Sequence, residues 1–386
     1  MPPPIRARAA AALAGCALLA SCSSGPAAPQ DDALPTPHGF VEGAEETAEA
    51  QWRLVVTEAD SGDVYLLDPV TEEPTRLATV DGAGSPTTDG RFVYLSDGSR
   101  THVVDSGVWT VDHGDHVHYY RTEPGTVGEV EGAGFTAVGD PAVTVLNSGQ
   151  GTVPLDREAL EAGEIRPVAE LDAQAALPYD QRLLAVEDGT VQVLDRGGRP
   201  EAELAEPCPQ PQAAAATRRG AVFACEDGAL LVSGDGGELA AEKIPYPEGE
   251  GVDGGFHHRP GTAVLAARSL TGEALVLDVK ARRWLTLDGP EAVAVSATGE
   301  DSPVLVLGWD GVLRSYDPAT GAELAQVEVM AIADGAAPTI QVDTARAYLN
   351  DPDGAAVHEI DYRDDLRPAR TFELDFRPDA MVETGW

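Results

Sequence analysis

Basic residues are scarce. The chain of 386 residues holds 26 lysines and arginines against 65 aspartates and glutamates, a formal net charge of −39. A field of that sign repels nucleic acid and anionic lipid and concentrates cations, so nucleic acid is not an expected partner. The same charge also serves to keep an exported protein dissolved, and most of it needs no other explanation. Aromatics make up only 5% of the chain, which argues against a sugar-stacking cleft. Catalytic signatures are missing too: there is no Gly-x-Ser-x-Gly elbow, no His-Glu-x-x-His helix and no Gly-Lys-Ser/Thr phosphate loop. Carboxylate pairs are so common among 65 acids that none singles out a glycosidase dyad. "DPDG" and "DPATG" lack the spaced ligands and final glutamate of an EF-hand and read as turns. The expectation is a protein that is not an enzyme.

Long apolar runs are confined to the start of the chain. "MPPPIRAR" is a short basic segment, and "AAAALAGCALLA" after it is too short to span a bilayer but suits a secretory leader. "LASC", ending at Cys22, resembles a bacterial lipobox, which would make Cys22 the lipidated first residue of the mature protein. "LAGC", ending at Cys16, fits the same consensus but leaves only about seven apolar residues upstream. Residues 1–21 are therefore read as a lipoprotein signal peptide. Residues 22–51, rich in Pro, Ala and acid, are read as a disordered tether. The expected location is extracytoplasmic, on the outer face of the cell membrane, with the lipid as the only membrane contact.

Only four cysteines are present. With Cys16 in the leader and Cys22 lipidated, Cys208 and Cys225 remain. In an oxidising compartment this pair is expected to form a disulfide closing a short loop between two strands. A contribution to a metal site is the alternative, although the spacing matches no common zinc pattern.

Past Trp52 the chain repeats. Short β-branched runs end in aspartate at Asp68, Asp105, Asp156, Asp195, Asp235, Asp278, Asp317 and Asp361. The interval is about 40 residues, that of a propeller blade with several short strands per unit. Apolar residues alternate within the units, and Asp-Gly or Gly-Gly turns join the strands as hairpins ("VEDGTVQVLDRGG", "GWDGVLRSYDPATG"). The expected fold is all-β: one β-propeller over residues 52–386, with eight blades, or seven longer ones. N- and C-terminal strands should pair to close it, the stretch "RTFELDF" completing the first blade. "PLDREALEAGEI" reads as a short helix or an ordered loop.

Eight histidines are present, and three fall within "DHGDHVHYYR" (Asp112–Arg121). On a strand, His116 and His118 project from one face and reach a single ion, with His113, Asp115 or another blade completing the shell. Asp112 and Asp115 can instead accept the second ring N–H of a histidine and fix its tautomer. A hairpin whose histidines merely pair with local aspartates is the metal-free alternative. "GFHHRPG" offers His257 and His258, and His358 lies in the last repeat. His258 is carried as a candidate ligand from across the ring.

The stretch from His113 to Tyr120 resembles the signature of AztD-type zinc metallochaperones, a family of exported propeller proteins. "SGVWT" before it, "VHEIDY" at 357–362, the closing "MVETGW", and Cys208-Pro209 with Cys225 are similar to that family as well. The resemblance covers most of the chain after Trp52. It implies a Zn2+ cargo, with His113, Asp115, His116 and His118 as ligands or near-ligands. It also implies delivery to the zinc-specific solute-binding protein of an ABC transporter. The carrier is expected to be a monomer. Two features depart from the family: no histidine follows Cys208-Pro209 in "CPQPQAAAATRRG", and the tether is acidic rather than histidine-rich. A metal-free propeller acting as an interaction scaffold is the competing expectation.

Overall fold

The computed structural model describes residues 39–234, 237–333 and 335–386. The leader, Cys22, His38 and Asp235 lie outside the described residues.

Hairpins build the molecule. Between the strands Arg182–Glu187 and Thr190–Leu194, Asp188 and Gly189 both take positive φ (49° and 78°). That is the backbone a two-residue turn needs to match strand twist, and it is why Asp-Gly stands there. Strands of this kind form an all-β fold of antiparallel sheets, most with four strands.

The sheets follow one another along the chain. The first holds Arg53–Thr57, Asp63–Leu67 and Pro74–Thr79, with Ala380–Thr384 from the far end of the chain paired to Arg53–Thr57. The second holds Thr87–Thr88, Phe92–Ser96, Arg100–Asp105 and Gly125–Glu131. The third has three strands within residues 136–156, and the bridges Thr152–Leu171 and Leu155–Pro167 stand where a fourth would be. Four-stranded sheets then occupy residues 175–203, 213–244, 252–287, 292–328 and 340–373. First strands touch from sheet to sheet: Ala175–Tyr179 meets Ala213–Thr217, Ile340–Val342 meets Ala380–Thr384, and the latter meets Thr87–Thr88.

The core lies between sheets. Leu177, Leu184, Val186 and Val191 of one sheet pack on Phe223, Leu230 and Val232 of the next, all fully buried. Fourth strands are outermost, and Pro200–Glu203 is exposed along its length. The repeated aspartates now have a physical role. They end third strands and cap the turn into the fourth: Asp68 accepts from Val70 N, Asp195 from Gly197 N, Asp278 from Ala281 N and Asp317 from Ala319 N. Asp156 instead caps the short helix Arg157–Glu161, accepting from Ala159 N at 3.1 Å. Side-chain acceptors of this kind satisfy backbone donors that no strand or helix partner reaches.

Cys208 and Cys225 are bonded and buried. The bond fastens the link between two sheets to the second strand of the later one. Two expectations need correction. The strand that pairs with the N-terminal one is Ala380–Thr384; "RTFELDF" lies mostly in Arg367–Glu373, the outer strand of the preceding sheet. The expected tether runs through residue 51, whereas Glu45–Thr47 within it is a strand. Acid-rich composition masked it, because its pairing uses backbone groups and needs no apolar side chains. Among the described residues, no helix is long and apolar enough to cross a membrane.

Candidate metal centre

The site stands on a hairpin inserted between the third and fourth strands of the second sheet. Val108–Asp112 pairs with Val117–Arg121 in the register Trp109–Tyr120, Val111–His118, Asp112–Val117. Residues 113–116 form the turn, closed by His113 N donating to the His116 carbonyl at 3.0 Å. Gly114 N donates to Asp112 Oδ1 at 2.7 Å, and Gly114 takes φ of 87°, which a side chain would resist. The turn brings His113 back over His116, and the strand period sets His118 beside it.

Three imidazoles converge as a result. Ring centroids are 4.9 Å apart for His113–His116, 5.2 Å for His113–His118 and 4.9 Å for His116–His118. One ligand atom from each lies within 4.8 Å of the others, an arrangement that could hold a metal ion. His113 and His116 are exposed and His118 is buried, so the group has one open edge. Two carboxylates orient the rings. Asp115 Oδ1 sits 2.7 Å from His116 Nδ1, and Glu46 Oε1 sits 2.7 Å from His118 Nδ1. A neutral imidazole donating Nδ1–H to a carboxylate carries its lone pair on Nε2, the state that metal binding requires. The donor set therefore fits a zinc-like ion, which takes neutral imidazole nitrogen in a tetrahedral shell.

A column of planar groups supports the cluster. His118 stacks near Tyr120 at 6.0 Å, Tyr120 stacks on Trp109 at 5.2 Å, and the Arg91 guanidinium lies 3.7 Å over Trp109. Asp105 holds Arg91 through contacts of 2.8–3.1 Å. Burial raises the Tyr120 phenol, and the Glu46 charge adds to that, so the ring enters the stack as a neutral group. From the far end of the chain, Gly385 N donates to the Gly90 carbonyl at 2.7 Å and its own carbonyl accepts from Thr110.

Of the sequence candidates, His113, His116 and His118 come together. Asp115 stands beside them as the hydrogen-bond partner of His116 rather than as a member of the converging set. His258 does not join them: it bridges Ala297 of the next sheet, where burial pushes its imidazole down to about 4, His257 and Arg259 adding to the effect. His358 is occupied locally, 3.3 Å from both Asp351 and Thr371. Glu46 was missed. Its only sequence signal is one acid among many, and its partner lies 72 residues away.

Fold and site together define a propeller-like all-β protein carrying a solvent-edged histidine cluster on an inserted hairpin. No family model and no curated protein matches the sequence. Among solved structures the chain is similar to AztD from Citrobacter koseri, with TM-score 0.72 and 18% identity over 87% of this chain and 98% of that one. The apo form of the same protein gives 0.71 and 17% with equal coverage. The dihydro-heme d1 dehydrogenase NirN in complex with DHE is similar at 0.54 and 17%, over 86% of this chain and 75% of that one. The chain thus has an AztD-type fold.

Proposed function

We propose that the protein is an extracytoplasmic zinc-binding chaperone that passes zinc to the solute-binding protein of a zinc ABC transporter. The observation that carries this reading is the convergence of His113, His116 and His118 within 4.8 Å, two of them oriented by carboxylates. The AztD-type fold and the resemblance of the histidine stretch to AztD-type zinc chaperones support it. On this reading the sheets are blades of one eight-bladed ring closed through Ala380–Thr384, the chain acts as a monomeric carrier rather than an enzyme, and Cys22 carries the lipid that keeps it at the membrane.

Zinc is cargo here, so the site must release as well as bind. Three imidazoles leave room for a fourth ligand, and the exposed side at His113 and His116 lets an acceptor's ligands approach before the donor's depart. Imidazoles favour zinc, copper and nickel over calcium and magnesium, which prefer all-oxygen shells.

The test is metal content and chelator competition on the purified chain from Ser23 onward, beside His116→Ala/His118→Ala. About one tightly held zinc in the parent, absent from a folded double variant, is expected. A parent that binds no zinc overturns the proposal and leaves the metal-free scaffold.

A further inference from the structure

The edge strand Glu45–Thr47 is a lightly secured element in contact with the histidine cluster. It pairs with Val117–Arg121 through Glu45–Arg121, Glu46–Tyr120 and Thr47–Tyr119, and buries no side chain of its own. The remaining ties are polar: Arg121 binds Glu45 at 2.9 and 3.0 Å, Thr47 Oγ1 donates to the Tyr119 carbonyl at 3.3 Å, and Thr122 Oγ1 donates to the Gly43 carbonyl at 3.1 Å. Glu45 and Arg121 are 63% and 47% exposed, so their ion pair is screened by solvent and contributes little. Short, solvated, polar-tied segments open at low free energy while the core stays shut.

Yet this strand supplies a carboxylate to His118, the buried member of the cluster. With the strand docked, Glu46 fixes the tautomer and plane of His118 and raises its basicity as a ligand. With the strand lifted, His118 loses that partner and the cluster loses a nearby negative charge. Sequence separation matters: Asp115 is beside His116 in the chain and remains with it, whereas Glu46 reaches His118 only through strand docking.

We propose that Glu45–Thr47 is an affinity strap. Docked, it holds the cluster in its tight-binding state through Glu46; lifted, it lowers affinity and readies the ion for transfer. Glu46 is a positioning residue in this scheme, acting through His118. The inference rests on the zinc-carrier reading. Linkage makes it reciprocal: if docking raises zinc affinity by some factor, zinc must favour docking by the same factor.

Two readouts on the chain from Ser23 onward test it. Zinc affinity by chelator competition is expected to fall about 10-fold or more in Glu46→Ala, with Glu46→Gln recovering part of the loss through its amide oxygen. Arg121→Ala, which loosens the strap without touching an imidazole, is expected to weaken zinc several-fold. Hydrogen exchange of amides 45–47 is expected to slow when zinc is added to the parent and not when it is added to Glu46→Ala. If the parent binds zinc but the variants match its affinity and exchange at 45–47 ignores the metal, the strap is overturned and the carrier stands. If the parent binds no zinc, the carrier reading falls and the strap falls with it.

Discussion

Thr110 Oγ1 donates to the Gly385 carbonyl at 2.5 Å, joining residues 275 positions apart. Thr110 lies on the histidine hairpin, and Gly385 follows directly on Ala380–Thr384, the strand that pairs with Arg53–Thr57. The hairpin is therefore tied to the segment that completes the first sheet. Packing of Trp386 on Gly90 reinforces it: a Cβ at Gly90 would come within 2.7 Å of the Trp386 carbonyl oxygen.

That tie makes Thr110 a residue whose loss should be felt at the cluster without unfolding the molecule. Thr110→Val keeps the shape and removes the hydrogen bond, at about 1 kcal/mol of stability. Chelator competition is expected to show zinc held a few-fold more weakly, with the melting temperature nearly unchanged. Unaltered affinity would mean that the hairpin needs no anchor at this point.

The disulfide predicts the opposite pattern. Cys208 and Cys225 are separated by 17 residues; Cys208 stands in a link between two sheets and Cys225 on a strand of a sheet other than the hairpin's. Closing a loop of that length contributes about 3 kcal/mol. Cys208→Ala/Cys225→Ala should lower the denaturation midpoint accordingly and leave zinc stoichiometry and affinity alone. A loss of zinc in this variant would return the cysteines to the metal site.

The contrast between those residues shows what the sequence could reveal. Repeats are legible because most of the described units reuse the same solution, an aspartate capping the turn after a β-branched strand, as at Asp195 and Asp317. The histidine turn was legible because three rare residues fall within six positions. Glu46 was hidden because its meaning depends on a partner 72 residues away, and one glutamate in an acid-rich stretch carries no pattern. The closing strand was misplaced for a related reason. "RTFELDF" and "AMVET" are both plausible strands, and both send side chains into one core cluster with Leu54 and Val56; only the backbone register, Met381 opposite Val56 and Phe372 opposite Val357, decides between them.

Asp89 carries a prediction about folding. Its side chain is fully buried in a turn of the second sheet, where it binds Arg157 at 2.9 Å and accepts from Tyr94 Oη at 2.8 Å, from Phe92 N at 2.9 Å and from the Thr144 hydroxyl. Arg157 and Thr144 belong to the third sheet and the helix after it, so Asp89 joins two sheets. Asp89→Ala leaves Arg157 buried without its counter-charge, a change that costs about 3–5 kcal/mol. Urea denaturation should show a loss of that size. A shift below about 1 kcal/mol would mean that water or rearrangement satisfies Arg157.

Glu383 should shape the response to pH. It lies on the closing strand, 2% exposed, and its Oε1 has no hydrogen-bond partner. Burial pushes its carboxyl well above the ordinary value of 4.5, and the charge of Asp343 pushes the same way. The folded chain therefore holds this proton more tightly than the unfolded chain does. Between the unfolded value and the raised folded one the native state binds more protons, so stability falls as pH rises. Glutamine in its place cannot ionise and is free of that loss. Melting curves of Glu383→Gln and the parent are expected to coincide near pH 4 and to separate as pH rises, with the variant more stable by a degree or more at pH 8. His258 acts on the acid side, since its imidazole is pushed down to about 4; stability it supplies above its unfolded value is lost as pH falls toward 4, and it is common to both proteins. The comparison therefore isolates the carboxyl. Curves that stay parallel from pH 4 to pH 8 would show that Glu383 is ionised in the fold, held by a cation or by water.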